Sequence, residues 1–312
     1  MRLKPAGLAL QAIAALVLLA GCSSAPKPRE QVDSVKNQAA QYAAAGNAFF
    51  GQGNYPQAQK FFDLALQTNL SVYNLSGIAT SYNSLGKVYL AVGDLAAAET
   101  DFQNALGVAR QIHDAGLTGQ TESNLGEVDL ARGSYHKALE TFNRALARTE
   151  DPNSPLAARL DHNIGAAYKG LGDFPSALAF LHKAAEAHLA LKDEVELSSD
   201  YYMIASVYSK ERDYRKATES AEKALAGDEK MENSPGIAAD LLALGIIAEK
   251  AGNPSTAYSR YYASFQVYKS IGLLPEVKEL LGRLVRVARR LGLTEDAASY
   301  ERALKSLSGG GS

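Results

Sequence analysis

A set of small residues recurs about every forty positions along this chain, and this repetition constrains the fold more than any other feature. A small residue, usually glycine, is followed seven positions later by a residue that is usually glycine as well, and five positions after that by an alanine. The seven sets are Gly46, Gly53, Ala58; Gly86, Gly93, Ala98; Gly126, Gly133, Ala138; Gly165, Gly172, Ala177; Ala205, Arg212, Ala217; Gly245, Gly252, Ala257; and Val285, Gly292, Ala297. A fixed period of this length is typical of stacked repeats, so we predict one structural unit per set.

Each unit contains two apolar stripes at helical spacing, one on each side of its central glycine. In the second unit, Tyr89 follows Gly86 by three positions, and Phe102 follows Ala98 by four. Small residues let two helix axes approach to about 8 to 10 Å, and the central glycine can adopt the left-handed conformation that ends a helix. A short polar residue that can cap the second helix follows at Asn54, Asp94, Ser134, Asp173, Asp213 and Asn253. We therefore predict a helical hairpin in each unit.

This pattern of small and aromatic residues resembles the tetratricopeptide repeat. With unit starts at 39, 79, 119, 158, 198, 238 and 278, the small residues fall at positions 8 and 20 of the family's pattern. The resemblance implies an all-α solenoid, a right-handed superhelix of about seven hairpins, over residues 34–305. The period exceeds the usual 34 residues by about six, so we expect a longer second helix or following loop, as in the subgroup that includes kinesin light chains. The seventh unit is degenerate at Val285, Glu301 and Leu304 and is predicted to be a cap, followed by a flexible tail at residues 306–312.

The first 22 residues have the layout of a bacterial lipoprotein signal. Arg2 and Lys4 precede an apolar stretch, AGLALQAIAALVLLA, that is shorter than the roughly 20 residues a membrane helix needs. The sequence Leu-Ala-Gly-Cys that ends at Cys22 resembles the lipobox. The resemblance implies cleavage of the signal peptide at residues 1–21, and palmitate and diacylglycerol on Cys22. Residues 22–33 are then a lipidated tether to the membrane. Ser23, in the second mature position, favours the outer membrane, facing the periplasm, in a host with two membranes.

Composition and missing motifs argue against several functions. The formal charge of −2 gives no global attraction to nucleic acid. A single cysteine excludes an internal disulfide framework and a cysteine-based zinc cluster. The chain has no HExxH, phosphate-binding glycine loop or nucleophile elbow, so we expect neither an enzyme nor a cofactor or metal. The dispersed histidines, among them His182 and His188, are interpreted as isolated surface residues.

By the same resemblance, the first helices line a concave groove that binds a protein or peptide. The candidate binding residues are Asn47, Asn83, Lys87, Asn124, Glu127, His162, Asn163, Tyr202, Ser206, Leu242, Ile246 and Arg286. Tyr202, Leu242 and Ile246 would form an anchor pocket for a peptide side chain, unless a tight superhelix covers them. Asn124 and Asn163 would hold a peptide backbone, or are simply solvated.

A basic stripe, Arg283, Arg286 and Arg290, falls on one face of the first helix of the seventh unit. It could meet acidic protein or phospholipid head groups, although a solvated face on a capping helix is the more common arrangement.

The anchor and the groove together predict a scaffold that mediates protein interactions in envelope assembly, such as pilus or secretin, outer-membrane or cell-wall machinery. The alternatives are a peptide- or small-ligand-sensing protein and, with less support, an envelope hydrolase. The chain itself does not specify the partner.

Overall fold

The computed structural model describes residues 29–309, and all regular secondary structure in that range is helical. In chain order the helices of this range are α1 Arg29–Gly51, α2 Tyr55–Ser71, α3 Leu75–Ala91, α4 Leu95–Gln111, α5 Ala115–Ala131, α6 Tyr135–Ala147, α7 Pro155–Leu171, α8 Phe174–Leu191, α9 Glu194–Glu211, α10 Tyr214–Lys230, α11 Ser234–Lys250, α12 Pro254–Ser270, α13 Leu274–Arg290 and α14 Thr294–Gly309. They follow one another as seven hairpins, α1 with α2 through α13 with α14, which confirms the predicted all-α solenoid.

The chain divides into two compact units, one ending at Ser81 and the other beginning at Tyr82 within α3. In the first unit, α1 and α2 form the leading hairpin. In the second unit, each helix from α4 onward packs against the next helix in the chain.

The central turns confirm the roles predicted for glycine and for the capping residues. Gly93 adopts a φ of 81°, and Arg212, at the one central turn without glycine, adopts 64°. The Asp94 carboxylate accepts a hydrogen bond from the backbone N–H of Ala97 at 3.0 Å. Equivalent caps form at Asn54, Asp173, Asp213 and Asn253. Ser134 makes no side-chain capping bond, so the prediction is wrong there.

The small residues of the first helices make room for large side chains of the second. A Cβ atom at Gly86 would lie 2.5 Å from Cε1 of Phe102, which is completely buried. The same close approach pairs Gly46 with Phe62, Gly126 with Phe142, Gly165 with Leu181 and Gly245 with Tyr261. A larger residue at these glycines would push the hairpin apart, which explains why the sequence repeats a small residue here.

The extra residues of the long period lengthen both helices of a hairpin. The helices α4 and α5 each contain 17 residues and are joined by residues 112–114 alone. Since α5 begins at Ala115, before the predicted unit start at 119, the first helix of the next hairpin is lengthened as well as the second helix α4. The expectation of a longer second helix was therefore incomplete, and that of a longer loop was wrong here. The longest connection between described helices, residues 148–154, separates α6 from α7.

Neighbouring hairpins share apolar cores. Phe142 of α6 packs in one cluster with Leu160 and Ile164 of α7. Near the end of the chain, Tyr261 of α12 packs in another cluster with Leu280 of α13. At roughly 25 cal/mol per Å² of buried apolar surface, these shared cores hold each hairpin to the next.

The ends of the helical region differ from the predicted boundaries. The first helix begins at Arg29, within the predicted tether of residues 22–33, and the last ends at Gly309, within the predicted tail of residues 306–312. The predicted signal peptide at residues 1–21 and Cys22 lie outside the described residues. Among the described helices, none combines the length and apolarity needed to cross a membrane.

Candidate functional site

Three of the predicted groove residues are buried amides that join neighbouring first helices. The Nδ2 of Asn83 donates to Oγ1 of Thr121 at 2.8 Å, and the Nδ2 of Asn124 donates to Oδ1 of Asn83 at 3.1 Å. The Nδ2 of Asn163 donates to Oε1 of Glu127 at 3.1 Å. The alternative interpretation, that Asn124 and Asn163 are solvated, is therefore wrong. Holding a peptide backbone would require these amides to leave their present partners.

Two other predicted groove residues, Lys87 and Asn47, are accessible to solvent to different degrees. The half-buried Lys87 of α3 has a pKa lowered by burial and by the positive charge of Arg159, which Glu127 and Glu196 partly offset. Asn47 is exposed on α1, which belongs to the first unit.

The predicted groove residue His162 belongs to a buried cluster that we call the histidine cluster, His162, His188 and Asp200. The Nδ1 of His162 lies 2.7 Å from Oδ1 of Asp200, and the Nδ1 of His188 lies 2.7 Å from Oδ2 of the same carboxylate. His188 is only 1% exposed, so its interpretation as a surface histidine is wrong. Burial alone would lower the pKa of His188, but the hydrogen bond and charge of Asp200 raise it above its ordinary value. His182 is exposed, as predicted.

The predicted anchor residues Tyr202 and Ile246 border one cavity between α9 and α11. Tyr202 is 38% exposed, while Leu242 and Ile246 are half-buried and pack against the apolar core. The cavity, about 130 Å³ in volume, is lined by Tyr202, Ser206, Ser209, Lys210, Ala243, Ile246, Ile247 and Lys250. Tyr202 is therefore exposed beside an apolar wall that contains Ile246, whereas Leu242 does not line the cavity.

Lys210 and Lys250 line the polar side of this cavity, and Lys169 bonds to its lining residue Ser206; we call these three residues the lysine cluster. The Nζ of Lys169 donates to Oγ of Ser206 at 3.2 Å, and the Nζ of Lys250 donates to Oγ of Ser209 at 3.3 Å. Burial, followed by the positive charge of Lys210, lowers the pKa of Lys169 to about 8. Within the described chain, no carboxylate forms a salt bridge with any of the three. This end of the cavity is suited to an anionic group.

On its other side, Tyr202 borders a second cavity of about 230 Å³, which contains two buried acids that we call the acid pair, Asp228 and Asp240. The cavity is lined by Val195, Ser198, Ser199, Tyr202, Asp228, Asn233, Gly236, Ala239 and Asp240. Asp228 accepts a hydrogen bond from Nδ2 of Asn233 at 3.1 Å, whereas Oδ2 of Asp240 has no partner. Burial, followed by the charge and hydrogen bonding of Asp228, raises the pKa of Asp240 to about 8. This cavity is suited to a cationic group.

Two of the three arginines of the basic stripe on α13 are paired with acids of the same chain. Arg283 forms an i,i+4 pair with Glu279 at 2.9 Å, and the predicted groove residue Arg286 lies 3.3 Å from Glu249. The Arg286 side chain remains 60% exposed. The stripe is therefore a solvated face on which the charges of Arg283 and Arg286 are already balanced.

Sequence reasoning missed the acid pair and the lysine cluster. Asp240, Lys210 and Lys250 lie outside the stripe of each first helix that the family resemblance assigns to the groove. A signal was present, because Asp200 and Asp240 are forty residues apart and occupy the same position of successive units. Across the described residues, no group of three or more histidine, cysteine, aspartate or glutamate side chains could hold a metal ion.

The chain belongs to the tetratricopeptide repeat family. The family model matches residues 38–111, 77–151 and 156–230, which together cover more than half of the sequence. This confirms the resemblance inferred from the small residues, and the family's fold is one that binds other proteins through extended surfaces. No curated protein matches the sequence.

Several solved structures share the fold at low sequence identity. The Rap protein complexed with competence and sporulation factor has a TM-score of 0.65 and 20% identity, covering 86% of this chain and 74% of its own. The Rap conjugation gene regulator of plasmid pLS20, in complex with the Phr* peptide, has a TM-score of 0.68 and 16% identity over 92% of this chain and 77% of its own. Aspartyl phosphate phosphatase F from Bacillus subtilis has a TM-score of 0.61 and 15% identity over 96% and 80%. At this level of identity, these similarities establish a shared fold and no more.

Proposed function

We propose that this chain is a lipid-anchored scaffold of the bacterial envelope that binds an extended peptide segment of a protein partner along α9 and α11. The observation that carries the binding role is the surface around Tyr202. This exposed ring separates a cavity bordered by the lysine cluster from a cavity that contains the acid pair.

A peptide segment fits this surface better than a compact small molecule does. The two cavities lie on both sides of one ring, so a ligand that fills both must extend across Tyr202 and carry an anionic and a cationic group. Peptides supply both groups along an extended backbone, together with apolar side chains for the wall at Ile246. Aromatic anchors of this kind commonly dominate the binding free energy.

The anchor is proposed from the N-terminal sequence. Cleavage before Cys22 and lipidation of its thiol would hold the solenoid at the outer membrane, facing the periplasm. Stable attachment requires more than one acyl chain, which a lipoprotein cysteine carries. In this position the scaffold would serve envelope assembly, in pilus or secretin, outer-membrane or cell-wall machinery.

A peptide-sensing role is the second candidate. It is favoured by the fold likeness to two Rap proteins whose structures were solved in complex with a factor or a peptide. A sensor should contract when a peptide binds, whereas a scaffold should keep its dimensions. Small-angle X-ray scattering of the full chain, with and without a bound peptide, separates the two roles through the radius of gyration.

Affinity capture tests the binding surface. The full-length lipoprotein, purified from detergent-solubilised envelopes, is expected to retain a defined set of proteins, and Tyr202→Ala should reduce their recovery by about tenfold or more. Tyr262→Ala is the matched control, because Tyr262 is similarly exposed but lies on the second helix α12. Equal recovery with both variants, or recovery of lipid alone, would contradict the proposed surface.

Metabolic labelling with a palmitate analogue tests the anchor separately. The wild-type chain should incorporate the label and sediment with outer membranes, while Cys22→Ser should do neither. Label incorporation by Cys22→Ser would contradict the proposed lipidation site.

A further inference from the structure

The buried acids of the fold differ in whether they have a basic partner, and the two that lack one lie together. Six aspartate or glutamate residues among those the structure describes are buried, and four have basic partners. Glu122 contacts Arg110 and Arg148, Asp129 contacts Lys137, Asp161 contacts Lys183, and Asp200 contacts His162 and His188. The remaining two are Asp228 and Asp240, which face each other.

The acid pair is buried without any positive charge of its own. Asp228 is 6% exposed and Asp240 is 1% exposed, and neither forms a salt bridge within the described chain. Asn233 donates one hydrogen bond to Asp228, but the Oδ2 of Asp240 receives none. A buried carboxylate oxygen without a donor costs stability, so its retention in a folded protein calls for a reason.

The acid pair also borders open space rather than solid core. Both carboxylates line the cavity of about 230 Å³, whose outer edge is formed by the exposed residues Val195, Ser199 and Tyr202. Gly236 keeps the inner end clear, because a Cβ atom there would collide with Oδ2 of Asp228. A group entering from the surface of α9 and α11 can therefore approach both acids.

We propose that the acid pair is a recognition site for a cationic side chain, lysine or arginine, of the bound peptide. This inference rests on the proposed peptide-binding function and assigns the residue class that one position of the peptide must have. The ammonium or guanidinium group donates to the free Oδ2 of Asp240 and balances the charge of Asp228. The ring of Tyr202 borders the same cavity and can contact the cation through its face.

The neighbouring lysine cluster determines the order in which the bound peptide must carry its cationic and anionic groups. It lies on the opposite side of Tyr202 from the acid pair, toward the C-terminal ends of α9 and α11. A peptide that places its cation at the acid pair would direct an anionic group, such as a carboxylate, toward these lysines.

Selection from a random heptapeptide display library, carried out on the immobilised full chain, tests the proposal. Wild type should enrich peptides with lysine or arginine at one fixed position. Asp240→Asn, which keeps the shape but removes the charge, should lose this preference and bind the enriched peptides about tenfold or more weakly. Glu219→Gln is the matched control, since Glu219 is an exposed acid on α10 paired with Arg215. It should behave as wild type.

The outcomes of the selection distinguish failure of the cation site from failure of the peptide-binding function. Enriched peptides without a basic position, whose binding still requires Tyr202, would support the groove but overturn the cation site. An unchanged basic preference in Asp240→Asn would also overturn it. Failure to enrich any peptide would count against the peptide-binding function itself, and the cation site would fall with it.

Proton release provides a second measurement that does not depend on the selection. Binding of a cation next to the acid pair should expel the proton held there. At pH 7, calorimetry of an enriched peptide in buffers with different ionisation enthalpies should show release by wild type and by Glu219→Gln. Binding by wild type without proton release would contradict direct contact between the cation and the acid pair.

Discussion

Two neighbouring hairpins place buried acids at the same repeat positions but balance them differently. In the histidine cluster, Asp200 receives one histidine from α7 and one from α8. The three positions forty residues further along are Tyr202, Asp228 and Asp240. The earlier hairpin supplies two imidazoles to Asp200. At the equivalent positions, the later hairpin supplies to Asp240 the exposed phenol of Tyr202 and the carboxylate of Asp228. The earlier cluster is complete by itself, and the later one has room and unsatisfied charge for a partner.

The comparison shows how one repeat scaffold separates stability from binding. Removing one partner of a paired buried acid is strongly destabilising, whereas an unpaired buried acid destabilises the fold until a ligand supplies the missing charge.

Removal of the paired acid should have the largest effect. Asp200→Ala leaves His162 and His188 without their carboxylate and should lower the free energy of unfolding by about 3 to 5 kcal/mol. The same change at the equivalent position, Asp240→Ala, should have little effect or increase stability at pH 8. Urea unfolding followed by circular dichroism measures both. Similar losses for the two variants would remove the contrast.

The pH dependence of stability should report the unpaired acid. The folded-state pKa of Asp240, about 8, lies above its ordinary value of 3.8. Between these two values the folded chain therefore holds a proton that the unfolded chain has lost. The contribution of Asp240 to the free energy of unfolding is complete below about pH 4 and is lost as the pH rises through 8. Asp228 on α10, Tyr202 on α9 and Tyr268 on α12 are the titratable groups around it.

Asp240→Asn should flatten this decline by an amount on the order of 3 kcal/mol between pH 4 and 8. The raised pKa of His188 adds a loss of stability above its ordinary value of 6.5 in both proteins and cancels in the difference. Parallel stability curves for wild type and Asp240→Asn would show that the acid pair carries no such penalty.

Introducing the histidine of the histidine cluster at the equivalent position should convert the acid pair into a paired cluster. Asp228→His places at residue 228 the residue type found forty positions earlier at His188, next to an acid that lacks a donor. The new hydrogen bond to a charged group should raise the free energy of unfolding by about 1 to 2 kcal/mol and reduce the preference for basic peptides. Stabilisation without any change in peptide preference would separate stability from binding and contradict the cation site.

The helix caps should give the smallest effect. Asp193 caps α9 by accepting from the backbone N–H of Glu196 at 3.3 Å, so Asp193→Ala should cost about 1 kcal/mol. At the equivalent position, Asn233 makes no side-chain cap and donates to Asp228 instead. The cost of Asn233→Ala should therefore vanish in an Asp228→Ala background, which a double-mutant cycle measures. A cost that persists would indicate that Asn233 stabilises α11 independently of the acid.

Much of the architecture was predictable because it depends on residues close together in the chain. Gly86 and Phe102 lie sixteen positions apart on two helices joined by a short turn, and helical period with turn chemistry predicts their contact. The caps at Asp94 and Asp173 follow from the same local rules. The extension of both helices was missed. Asp114 caps α5 by accepting from the backbone N–H of Leu117 at 2.9 Å, but the left-handed residue of the preceding turn is His113 and not a glycine.

The polar interior was less predictable. Asn124 and Asn163 occupy the same position of successive units and were expected to bind a peptide or to be solvated, yet the packing of α3, α5 and α7 buries both. Their partners lie 41 and 36 residues away, at Asn83 and Glu127, and no local pattern specifies them. A hydrogen bond between side chains of different repeats depends on how the repeats are rotated, which small changes in helix length alter.

The sequence by itself therefore determined the number of hairpins, their turns, their small-to-large packing and the resemblance to a lipoprotein at Cys22. These features arise from local conformational preference and from a period that the chain repeats seven times. Only the tertiary structure decided that Asp200 meets two histidines while Asp240 meets another aspartate beside a cavity. The reason is physical, because the charge balance of a buried group depends on side chains from three helices that come together only when the repeats stack.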